Sequence, residues 1–159
     1  MSCDCGSGRH RAPAGFSLVE LIVVLAIAGI VAALSAPTLL SFWQASTLQA
    51  AARELASAIN LGRQLAISTK TSVCVELSAT SLRLRMGGCG GEVWKGAVTD
   101  GSGAINISGA ADVDAAANGR VVFTALGAAS PAATYTLTHA RTRASRAVVV
   151  AASGRISVE

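Results

Sequence analysis

Apolar residues run almost unbroken from Phe16 to Ala36, and Glu20 is the one charged residue among them. At ~1.5 Å rise per residue, a helix over that stretch spans about 31 Å, which matches a hydrocarbon core of ~30 Å. Past Pro37 the pattern loosens into a stripe. Leu48, Ala52, Leu55, Ile59, Gly62 and Ala66 share one helix face, while Arg53, Glu54, Asn60 and Gln64 fall largely on others. A helix from about Phe16 to about Ser68 accounts for both patterns. Phe42 and Trp43 suit either the outer interface of the apolar run or packing against the globular part.

Beyond Lys70 the period drops to two. Val73, Val75 and Leu77 alternate with Ser72, Cys74 and Glu76; Leu82, Leu84 and Met86 alternate with Arg83 and Arg85. Ser78-Ala79-Thr80 between them predicts a hairpin turn. Further strands are predicted at Val93–Thr99, Ile105–Ile107, Val121–Thr124, Tyr135–Thr138, Ala147–Ala151 and Arg155–Val158, with a turn at Ser153-Gly154. Gly101–Gly119, rich in Gly, Ala and Asp, reads as a loose loop with brief pairing. One striped helix followed by short strands predicts an α+β fold, the helix lying on antiparallel sheet.

Composition sharpens the picture at the N-terminus. The chain has 159 residues, 14% of them charged, with mean hydropathy +0.53, and the apolar excess sits in the first run. Arg9 and Arg11 precede that run, so the positive-inside rule places the N-terminus in the cytoplasm and the bulk of the chain across the membrane. That compartment is oxidising, which makes a Cys74–Cys89 bridge favoured over two free thiols. The glycines around Cys89 would let its loop bend back onto the Cys74 strand. Cys3-Asp4-Cys5 offers only two ligands on a short N-terminal segment, a poor metal site, and is assigned no role.

Three readings fit the N-terminus: a secretory signal peptide, a plain signal anchor, and a class III leader. The first is opposed by the length of the apolar run and by Pro37 directly after a cut at Ala36. The second gives Glu20 no purpose, although intramembrane carboxylates are functional candidates by default. The third accounts for all three features. Gly15-Phe16-Ser17-Leu18-Val19-Glu20-Leu21 resembles the processing motif of type IV prepilins and pseudopilins. The resemblance implies that a prepilin peptidase removes residues 1–15, cutting between Gly15 and Phe16, and N-methylates Phe16. The freed amine would pair with Glu20 of a neighbouring subunit. Phe16 and Glu20, four apart, stack on one helix face, and Glu20 in the first turns complements the helix dipole. Pro37 matches the helix-bending proline of many pilins. The implied segments are a leader over 1–15, a transmembrane half-helix over 16–36, an amphipathic periplasmic half over 37–69 and a periplasmic sheet domain over 70–159.

The second half narrows the resemblance. The stretch from Glu54 to Ile67 is similar to the helix of the GspH/FimT family. The Val73-Cys74-Val75 strand, the Trp94 segment before Asp100-Gly101, and Val148–Val150 followed by Ser153-Gly154-Arg155 agree with it. This implies a minor pseudopilin of type II secretion, anchored in the bacterial inner membrane. Its partners would be other pseudopilins or pilins, the prepilin peptidase and the inner-membrane assembly platform. The alternative is a minor type IV pilin that binds DNA, because some relatives bind it through a terminal Gly-Arg-any-Arg tail. Here Gly154-Arg155-Ile156-Ser157 keeps only the first arginine of that motif. Arg141, Arg143 and Arg146 could compensate, since phosphate binding needs clustered cations, but a solvated face on a basic protein is the favoured reading. His139, beside Ala140-Arg141, reads as a solvated strand or turn residue. No phosphate loop, metal-ligand cluster or nucleophile–base pairing is legible, so no catalytic residue, metal or cofactor is expected.

Overall fold

The computed structural model describes residues 15–107 and 112–159; the side chains at 35–38, 40 and 41 also lie outside the description. Most of the expected leader is therefore not described, nor is the side chain of Pro37. Helix α1 runs from Leu18–Thr69 and nine strands follow among the described residues. They are β1 (Val73–Ser78), β2 (Ser81–Met86), β3 (Ala104–Asn106), β4 (Val113–Ala117), β5 (Val121–Phe123), β6 (Ala129–Ser130), β7 (Ala133–His139), β8 (Ser145–Val150) and β9 (Ile156–Val158). They form two antiparallel sheets, ordered β3-β2-β1-β5-β6 and β4-β7-β8-β9.

The chain divides into two compact units, Met1–Leu40 and Ser41–Glu159. In the first, every described side chain of α1 is exposed, including Leu18, Ile22, Leu25, Ile30 and Leu34. A helix that is apolar all round finds no burial in its own unit and calls for lipid or other helices. Among the described residues no helix meets the length and apolarity of a full crossing. The run expected to cross, 16–36, extends into positions whose side chains are not described.

The second unit holds the core. Leu48, Ala52, Leu55, Ile59 and Ala66, the expected stripe, are buried together with Val75, Leu84, Phe123, Tyr135, Leu137 and Val148 in one cluster. Gly62 sets how closely helix and sheet meet. A Cβ there would stand 2.9 Å from Leu84 Cδ2 and 3.2 Å from Val75 Cγ2. A larger residue would force the helix off the β1–β2 hairpin. Phe42 and Trp43 are exposed (68% and 63%), which excludes their packing within this unit.

Three sequence expectations need correction. Val93–Thr99 is not a strand: it makes one bridge, Arg85 with Val93, and then Thr99 N–H turns back to Gly96 O at 3.1 Å. Within Gly101–Gly119 the pairing is longer than the brief contact expected, because β4 pairs with β7 from Val113 opposite His139 to Ala117 opposite Tyr135. His139 is not solvated; it is 3% exposed, and its Nδ1 accepts the backbone N–H of Arg141 at 3.2 Å.

Candidate processing and assembly site

At the start of the described chain, Gly15 and Phe16 are exposed and non-helical, and an added Cβ on Gly15 would meet nothing within 4 Å. Among the described residues neither is paired or packed, a state from which a segment can enter a protease as an extended strand. The helix begins at Leu18, with Leu21 N–H donating to Ser17 O at 3.1 Å. Glu20 lies in the first turn, where unsatisfied N–H groups favour an anion. Phe16 precedes the helix, so the stacking of Phe16 over Glu20 expected from a continuous helix is not built into this chain. Glu20 is exposed and, among the described residues, forms no ion pair. A carboxylate on an exposed apolar helix thus remains available to a neighbour.

The disulfide expected from the sequence is present. Cys74 on β1, fully buried, bonds to Cys89 with Cα atoms 4.9 Å apart across a separation of 15 residues. In the chain-entropy account, a loop of that size stabilises by ~3 kcal/mol. Arg85 fixes the same loop from β2: its Nη1 donates to Gly91 O at 3.1 Å and its Nε to Glu76 Oε2 at 3.0 Å. Arg120 reaches the other oxygen of Glu76 at 3.0 Å. The hydrogen bond from Arg85, helped by the charges of Arg120 and Arg83 and opposed by slight desolvation, holds the Glu76 carboxyl below the usual carboxylate range. This network is structural, binding the edge of the disulfide loop to two strands.

The four arginines considered for phosphate contact do not converge. Arg141 and Arg143 lie in the β7–β8 turn, Arg146 is the second residue of β8, and Arg155 follows the β8–β9 turn at the opposite end of that strand. A strand of this length separates its ends by about 17 Å at ~3.3 Å per residue. Arg141 is also engaged by Asp112 at 3.5 Å. Arg155 instead lines a cavity of 370 Å³ with Ser57, Asn60 and Arg63 of α1. Sequence reasoning missed Arg63, whose position in the helix gave no signal. Its Nε donates to Gly127 O at 3.0 Å. Gly154 sits against the same carbonyl with φ +80°, and a Cβ there would lie 1.9 Å from Gly127 O. Gly154 is thus required by packing, independent of any ligand.

Other titratable groups do not build a reaction centre. Asp100 caps its own loop: Oδ1 accepts Ser102 Oγ at 2.7 Å, Ser102 N–H at 2.8 Å and Ala104 N–H at 2.9 Å. These bonds, the Ser102 hydroxyl first, lower its carboxyl to about 2. Burial pushes the Tyr135 phenol up to about 12, the Val121 backbone partly opposing it, although its hydroxyl makes no hydrogen bond of good geometry. Among the described residues, no group of three or more His, Cys, Asp or Glu side chains is placed to hold a metal.

Comparison with known proteins shows the family and the fold. Residues 10–36 match the family model of the prokaryotic N-terminal methylation motif, and residues 51–154 match that of the type II transport protein GspH. No curated protein matches the chain. Three solved structures share the fold. The type IV minor pilin FimU of Pseudomonas aeruginosa is 22% identical, covering 74% of this chain and 92% of its own, with TM-score 0.55. GspH of E. coli is 15% identical, covering 72% and 88%, with TM-score 0.56. The minor pseudopilin EpsH from the type 2 secretion system of Vibrio cholerae is 10% identical, covering 70% and 95%, with TM-score 0.54.

Proposed function

Because the chain belongs to the GspH family of type II transport proteins and carries the prokaryotic N-terminal methylation motif, we propose that it is a minor pseudopilin of a type II secretion system. In this reading it is a structural subunit of the pseudopilus and not an enzyme. The observation that carries the proposal is the exposed Gly15–Phe16 bond placed just ahead of an apolar helix whose first turn holds Glu20. Cleavage after Gly15 by the prepilin peptidase leaves a cationic, N-methylated Phe16. The helix over 16–36 stays in the inner membrane, with the sheet domain in the periplasm and Pro37 as the site of a bend.

Assembly then exchanges lipid for neighbouring helices. In lipid, helix association is driven by packing and by polar contacts, and an unpaired carboxylate there costs a few kcal/mol. Pairing the Phe16 amine of one subunit with Glu20 of the next removes two isolated charges from the apolar phase at once. The inner-membrane assembly platform and the other pseudopilins supply the partners for that exchange.

The experiment is genetic and biochemical. In the native host, Glu20→Ala should be processed normally, fail to enter filaments and depress secretion of exported protein. Normal filament incorporation of that variant contradicts the pairing. Deletion of the gene should abolish or reduce protein export while leaving surface pili intact. Loss of pilus function with intact export would instead assign the chain to a type IV pilus, a reading that its fold likeness to FimU leaves open. The DNA-binding alternative has less support, because Arg141 and Arg143 stand at the far end of β8 from Arg155.

A further inference from the structure

The second sheet ends in an edge strand with an unpaired outer side. β9 is the outermost strand in the order β4-β7-β8-β9. Ala147 N–H donates to Glu159 O at 3.0 Å, Glu159 N–H to Ala147 O at 2.8 Å, and Ala151 N–H to Arg155 O at 2.9 Å. The odd-numbered residues of β9 therefore face β8. By the alternation of an antiparallel ladder, the amides and carbonyls of Ile156 and Val158 point off the sheet. Among the described residues nothing pairs with them. β9 carries no proline, lysine or bulge; its three-residue length and the charges that flank it, Arg155 and Glu159, are what limit pairing along this edge.

Charge at the two ends of the strand supplies the second observation. Arg155 is exposed and lines a cavity with Arg63, and neither guanidinium has an ion pair among the described residues. Glu159, exposed at the other end of β9, has none either. Like charges sharing one cavity attract an anion.

We propose that β9 pairs with β9 of a second copy of this chain, antiparallel and centred on Ser157. In that register Ile156 lies opposite Val158 of the partner subunit in a hydrogen-bonded pair, and the reverse pair forms by symmetry. Arg155 then stands directly opposite Glu159 of the partner subunit, and Glu159 opposite Arg155 of the partner subunit. Opposed Cβ atoms are about 5 Å apart, within reach of an ion pair. The register that satisfies the edge is thus also the one that matches the charges. This closes a twofold, isologous contact. Two strands of three residues bury far less than the ~1,200 Å² of a stable interface, so the pairing is transient and suited to subunits concentrated in one membrane. The inference does not depend on the secretory role.

The test uses the full chain in its host membrane, with Cys3 and Cys5 replaced by serine and the Cys74–Cys89 bridge intact. Ser157→Cys places two thiols opposite each other in a pair without hydrogen bonds, at a Cα separation disulfides accept. A covalent dimer on non-reducing gels is expected, at least about fivefold more abundant than with Ser153→Cys on the exposed turn. Adding Arg155→Glu to Ser157→Cys should lower the dimer by about fivefold or more, and the further change Glu159→Arg should restore it. A monomer with Ser157→Cys overturns the proposal. So does equal cross-linking from position 153, a loss that the charge swap does not rescue, or a disulfide from position 157 to a different protein.

Discussion

The two halves of helix α1 are built from similar apolar material and meet opposite fates. Leu18 to Leu34 are exposed on every described side, whereas Leu48, Leu55 and Ile59 are fully or almost fully buried against two sheets. The difference lies in the angular spread of the apolar residues. The first half is greasy all round and carries one acid, so its own chain leaves it uncovered; the second confines its apolar residues to a stripe that the sheets of its own unit cover. The second half is stabilised by its own chain. The first finds no burial within its own unit, so lipid or other helices would have to cover it.

Breaking the second half should unfold the domain. Leu55→Ala removes a fully buried side chain and is expected to cost ~2–5 kcal/mol, read as a lower denaturation midpoint of the detergent-solubilised protein. The matched change Leu25→Ala, on the exposed half, should leave that midpoint unchanged while weakening association between subunits. Equal destabilisation by both would dissolve the distinction between the halves. Replacing Cys74 and Cys89 together by alanine should cost ~3 kcal/mol in the same measurement, with the effect abolished when wild type is measured under reducing conditions. Gly62→Leu is expected to cost ~1–3 kcal/mol by overpacking against Leu84 and Val75, whereas Gly29→Leu, with open space around it, should cost almost nothing in domain stability.

The smallest effect expected is one of pH. Asp100 is held at about 2 in the folded chain, below the ordinary aspartate value near ~3.9. Its contribution to stability is therefore fully present above about pH 4 and is lost as pH falls toward about 2. The difference in melting temperature between wild type and Asp100→Asn should be constant from pH 7 to about 4 and should shrink below it. A difference that stays level down to pH 2 would show that the carboxylate does not hold the loop.

What the sequence disclosed follows the same contrast. The stripe from Leu48 to Ala66 and the alternation of β1 and β2 were legible because each element repeats with the period of its own geometry. β4 was not, since Val-Asp-Ala-Ala-Ala has too little apolar contrast to alternate, and it is defined only by pairing with β7. The burial of His139 went unseen for the same reason, because its cross-strand neighbour is Val113 of β4. Val93–Thr99 holds β-prone residues, yet Thr99 closes a turn on Gly96 through both its N–H and its hydroxyl. At the candidate site, Gly15, Phe16 and Glu20 were readable as a local motif. The company of Arg155 and Arg63 was not, because it depends on how the β8–β9 turn meets the helix.

The proposed function stands or falls on one peptide bond, Gly15–Phe16, being cut to release the anchor in its working form. Mass spectrometry of the protein purified from its host measures this directly. The expected result is a mature chain beginning with N-methylated Phe16 and carrying the Cys74–Cys89 bridge. A chain that keeps Met1, or one that starts well beyond Phe16, would contradict it.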